Sequence, residues 1–169
     1  MLVTSESTTM GFSEVSTLLW REREALELLL FKLVEEQLII SAGQTRWLAP
    51  ANREIEVAVE QLRGTEVLRS AEVDALAGEL RQPAGPTLSE LATMAPEPWS
   101  TVLSDHREAM LRLVTEIEHA STENRRLLTA SARSVRETLL SITQSVDTYN
   151  ARGQASSSVS RAMIVDEQA

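Results

Sequence analysis

Val15, Leu19, Leu26, Leu29, Leu33 and Ile40 follow one another at near-heptad spacing, with Glu22 and Glu36 standing in the same stripe. No Pro or Gly interrupts the chain from Ser13 to Ala42. This pattern predicts a first helix over about residues 13–42, with Ser13 or Ser16 as its N-cap and Gly43 as the glycine that stops it. Leu28, Phe31 and Leu38 form a second apolar stripe beside the first. One partner helix cannot cover both stripes, so the helix belongs to a bundle of three or more, or leaves a face for another protein.

A second helix is expected over about 51–80, with Pro50 tolerated only in its first turn and Ile55, Val59 and Leu62 facing inward. Gly64 is its weak point, and a kink or break is expected between residues 64 and 71. "RQPAGP" at 81–86 reads as a loop. Thr87-Leu88-Ser89-Glu90 has capping-box spacing and predicts a short helix over about 87–95.

From Trp99 to Asn150 there is neither Gly nor Pro, which predicts one long helix over about 98–150. Leu103, His106, Met110, Leu113, Ile117, Ala120, Asn124 and Leu127 keep heptad spacing along it. The register then slips, and Leu128, Val135, Leu139, Ile142, Val146 and Tyr149 define a second stripe. Such a shift lets the two ends of one helix face different partners.

The expected fold is therefore all-α: an elongated antiparallel helical bundle or coiled coil with one long C-terminal helix. Residues 1–11, polar and rich in Ser and Thr, are expected to be disordered, the bundle to occupy 12–151, and 152–169 to form a flexible tail. That tail carries a polar spacer, "GQASSSVSR", ahead of an apolar Met163-Ile164-Val165. A short apolar cluster of this kind reads either as an incidental feature of a loose end or as a peptide that orders on a partner.

The 169 residues are 43% hydrophobic and only 4% aromatic, as in long-helix proteins. The net charge of −9 repels phosphate backbones and anionic lipid, which argues against nucleic acid as a partner. Cysteine is absent, removing disulfides and thiolate metal sites. No secretory signal and no run of apolar residues long enough to span a bilayer is visible, so a cytoplasmic protein without stable membrane insertion is expected.

Chemistry-bearing constellations are weak. Glu116 and His119 form an E-x-x-H, but a di-iron bundle needs a second such pair, and His106 has Leu103 three positions before it. A solvated Glu/His pair is the expected reading, with no metal and no cofactor. His106 on the apolar stripe invites comparison with phosphotransfer histidines, yet a core-edge histidine bonding locally is the commoner case. No phosphate cradle or nucleophile–base set accompanies it, so an enzyme is not expected. Asn124 at a core-spaced position either fixes register through a buried amide or faces water at the register shift.

With these residues assembled, the chain resembles the FlgN-type flagellar export chaperones. "LLWREREALELLLFKLVEEQLIISAGQ" is similar to that family's opening hairpin, and "ENRRLLTASARSVRETLLSI" resembles its Asn-x-x-Leu-Leu helix through Asn124, Leu127 and Leu128. "TYNARGQ" resembles the family's Tyr-Gly-x-x-Gly-Gln ending, with Asn150 in place of a glycine, and "SRAMIVDEQA" resembles its apolar-then-charged tail. The segment "RQPAGPTLSELATMAPEP" is not a family signature. The resemblance implies a cytoplasmic, non-enzymatic chaperone. It would bind the C-terminal helical segments of hook-filament junction proteins, prevent their premature assembly and deliver them to the flagellar type III export gate. It implies cargo contact through the last helix and tail, and an export-gate contact at Tyr149. Taken with the second stripe, the expected cargo-binding residues are Asn124, Leu127, Leu128, Val135, Leu139, Ile142, Val146, Met163, Ile164 and Val165. The rival reading is a structural coiled-coil protein that dimerises through the long helix and has no export role.

Overall fold

The computed structural model describes the backbone of residues 2–150 and the side chains of residues 8–141. It is all-α: α1 spans Leu2–Ser41, α2 Leu48–Glu79, α3 Leu88–Met94 and α4 Trp99–Asn150, with a 3-10 turn at Thr45–Trp47. No strand occurs among the described residues. Contacts group residues 1–125 into one compact unit and the chain from Arg126 onward into another.

Within the first unit, α1, α2 and the N-terminal half of α4 form a three-helix bundle. Phe12, Val15 and Leu19 of α1 pack with Val73 and Leu76 of α2, Leu91 and Ala92 of α3 and Leu103 of α4. Leu29 and Leu33 of α1 pack with Ala58 of α2 and Ala120 of α4. Moving along α1 therefore means moving forward along α4 and backward along α2, so α1 and α4 are parallel and α2 is antiparallel to both. Each large apolar side chain buried here contributes about 1.5–3 kcal/mol of transfer free energy. Trp99 closes the α3 end by stacking on Phe12, with ring centroids 6.4 Å apart.

α1 differs from the sequence expectation at its start. It is helical from Leu2, where residues 1–11 were expected to be disordered and Ser13 or Ser16 to cap. Neither serine is a cap: the Ser13 carbonyl accepts from Thr17 Oγ1 at 2.9 Å, and Ser16 is buried against α4. Gly11 is a point of close approach rather than a break. A Cβ there would stand 2.9 Å from Leu76 Cδ1, so its absence lets α1 continue past Phe12 onto α2.

The other end of α1 is as expected. Gly43 has φ +66°, and the bonds Gln44 N–H to Ile39 O (3.0 Å) and Gly43 N–H to Ile40 O (3.0 Å) complete a Schellman motif. Pro50 lies in the first turn of α2. No break follows at Gly64, where a kink was expected: the glycine has open space around it, and α2 runs unbroken to Glu79. α2 closes on a second Schellman motif in which Arg81, not a glycine, takes φ +56°. Thr87 caps α3 through the expected reciprocal box with Glu90. The hydrogen bonds from Thr87 hold the Glu90 carboxyl below its ordinary value.

Candidate interaction surface on the long helix

All eight heptad positions from Leu103 to Leu127 are buried or half-buried, and the intervening Glu116 and His119 are exposed. The apolar stripe of α1 is likewise covered from Val15 to Ile40, with Glu22 and Glu36 inside it. Leu28, Phe31 and Leu38, the second stripe of α1, remain exposed, so the bundle covers one stripe and leaves the other open.

Three buried polar side chains of α1 find partners across the bundle. Ser16 Oγ lies 3.2 Å from His106 Nε2 on α4. Arg69 Nε of α2 donates to Glu22 Oε2. Asn124 Nδ2 donates to Glu36 Oε2 at 2.7 Å and to the Leu33 carbonyl at 2.8 Å. Burial pushes the Glu22 carboxyl up despite the opposing Arg69 guanidinium. His106 is 2% exposed, edge-on to Trp20 at 5.0 Å, and its pKa is lowered by burial and by the Arg23 guanidinium, against a smaller opposing effect of Asp105. The imidazole, bonded across helices through Nε2, is part of the bundle core.

Asn124 was expected on a binding face, and the structure places it elsewhere. It is 3% exposed and its Nδ2 donates to α1, so of the two readings its position allowed, the buried one holds. It is also the last buried residue along the chain among those described. Leu127 is half-buried, and every residue from Leu128 to Ser141 is exposed. Leu128 is 37%, Val135 59% and Leu139 59% accessible. Leu140, which lies off that stripe, is 56% accessible. Ile142, Val146 and Tyr149 lie on the α4 backbone with side chains outside those described, and Met163, Ile164 and Val165 lie outside the described residues. No group of three or more His, Cys, Asp or Glu able to hold a metal occurs among the described residues. No described helix is long and apolar enough to cross a membrane.

Along α4 the covered heptad thus gives way to exposed Leu128, Val135 and Leu139. The sequence matches the family model described as FlgN protein over residues 10–157. The chain belongs to the FlgN family. That match takes in all of α2, α3 and α4 and most of α1. The family is one of flagellar export chaperones, whose members act by binding flagellar proteins rather than by catalysis. No match was found among curated proteins or among solved structures.

Proposed function

We propose that this FlgN-family chain is a cytoplasmic chaperone for hook-filament junction proteins. It would hold their C-terminal helical segments against the α4 stripe until delivery to the export gate. The observation that carries the reading is the change along α4 from a covered heptad ending at Leu127 to exposed Leu128, Val135 and Leu139. An amphipathic helix laid along that stripe would bury apolar surface on both partners, at about 25 cal/mol per Å². Ile142 and Val146 continue the stripe by spacing, Met163, Ile164 and Val165 would add a second contact from the tail, and Tyr149 would face the export gate. Asn124 supports this surface from inside the bundle by setting the register of α4 against α1.

The test is co-purification of the full chain with junction-protein C-terminal segments. Leu139→Asp combined with Ile142→Asp abolishes capture while far-ultraviolet circular dichroism stays helical; retained capture means another surface binds. Removing residues 155–169 weakens capture without lowering the helical signal. The rival, a coiled-coil dimer without export role, is favoured by the same exposed stripe. It requires a concentration-dependent mass by light scattering that both Asp substitutions abolish.

A further inference from the structure

The described residues beyond Asn124, 125–141, hold Arg125, Arg126, Arg133 and Arg136 against Glu137 alone, a local charge of +3 in a chain of net charge −9. The arginines are not spread evenly around the helix. Arg125 stands three positions before Leu128 and Arg136 three before Leu139, the spacing of side chains that neighbour one another on a helix surface. Arg133 and Arg136 are themselves exposed. On the opposite flank are Ser134 and Thr138, and Thr138 Oγ1 turns back to donate to the Ser134 carbonyl at 3.0 Å. Arg125 and Arg136 thus border the exposed apolar stripe along one edge, with Arg133 further round the helix on the same side, and Ser134 and Thr138 lie on the uncharged opposite flank.

We infer that the α4 stripe takes an acidic amphipathic helix, one whose apolar face is bordered on one side by Asp or Glu. This rests on the docking surface proposed above and adds the chemistry and orientation of its occupant. Guanidinium groups pair carboxylates through two parallel N–H···O bonds, so a one-sided arginine rim fixes which way round the partner helix lies. The chain's overall negative charge does not oppose this at contact, because fields are screened beyond roughly 8–10 Å at physiological salt. An extended polyanion, a membrane surface or a nucleic acid, meets the whole chain and its net charge of −9.

The test uses the full chain and a fluorescent synthetic peptide, an amphipathic helix with Leu at heptad-type spacing and Glu along one flank. Its twin carries Lys in place of each Glu. The acidic peptide binds about tenfold more tightly than its twin, a difference of about 1.4 kcal/mol, and the gap narrows as salt is raised. Arg133→Glu with Arg136→Glu inverts the preference without changing the helical signal, since both side chains are exposed. Leu139→Asp removes binding of both peptides. Equal binding of the two peptides by the parent chain overturns the charge inference while leaving the docking face intact. Unaltered binding by Leu139→Asp instead overturns the docking face itself. Arginine-dependent binding to phosphatidylglycerol vesicles with no binding of the acidic peptide overturns the inference in favour of a lipid surface. Arginine-dependent dimerisation does so in favour of a second copy.

Discussion

Replacing Asn124 by Ala should unfold the bundle more readily without touching the exposed stripe that follows it on α4. The Asn124 amide donates to a Glu36 oxygen at 2.7 Å and to the Leu33 carbonyl at 2.8 Å, and Glu36 is 6% exposed. Truncation removes a hydrogen bond to a charged group, worth about 1.5–3 kcal/mol, and leaves the Glu36 side chain buried without that donor. The expected loss is about 2–3 kcal/mol. With a urea slope of about 2 kcal/mol per M for a chain of this size, the midpoint followed by circular dichroism falls by roughly 1–1.5 M. Replacing both partners, Asn124→Leu with Glu36→Leu, leaves no orphaned group and should return to within about 1 kcal/mol of the parent. With Asn124→Leu and Glu36→Leu also measured singly, the cycle should yield a coupling of about 2 kcal/mol. A single-variant loss below about 0.5 kcal/mol, or a double variant no more stable than the single, would refute the buried-pair reasoning. Under conditions where the Ala variant remains folded, its capture of a partner should equal that of the parent.

Arg81→Gly should stabilise the chain by about 0.5–1 kcal/mol in the same urea assay, because Arg81 holds φ +56° at the close of α2, a conformation costly for any residue with a Cβ. His106, whose pKa burial lowers, contributes stability that is present above the ordinary histidine value near 6.5 and lost as pH falls through the depressed one. Glu22 and Glu72, both raised chiefly by burial, act with the opposite sign: their contribution is present below the ordinary carboxyl value and lost as pH rises through the raised one. The histidine is therefore read from a difference. The gap in stability between the parent and His106→Leu should narrow from pH 7 to pH 5, by at most about 1.4 kcal/mol per pH unit, and a pH-independent gap would refute it.

The parts of the fold legible in the sequence are those where burial repeats with the helix. The α1 stripe, the heptad from Leu103 to Leu127 and the Thr87 capping box each state their geometry locally, and each is present. Two glycines have roles that their neighbours decide. Gly64 was read as a weak point, with a kink or break between residues 64 and 71, but an exposed glycine costs a helix only about 1 kcal/mol, which the packing on either side offsets. Gly11 sits among Ser and Thr that look frayed, yet it is the missing side chain that admits Leu76. Propensity cannot distinguish these cases because the deciding atoms lie 65 residues away on α2.

The same limit explains Asn124. A polar residue on an apolar stripe has one appearance in sequence whether it faces a partner protein or a buried acid. The distinguishing signal was present but split between two helices. Glu36 interrupts the α1 stripe as Asn124 interrupts that of α4, and parallel packing brings the two together. Ser16 and His106 repeat the arrangement nearer the N-terminus of both helices. Two polar pairs at matched depths disfavour sliding α4 along α1 by a turn, since each buried group would then face an apolar side chain. Beyond Asn124, bonded to Glu36, no residue up to Ser141 is buried, and Leu128, Val135 and Leu139 are exposed.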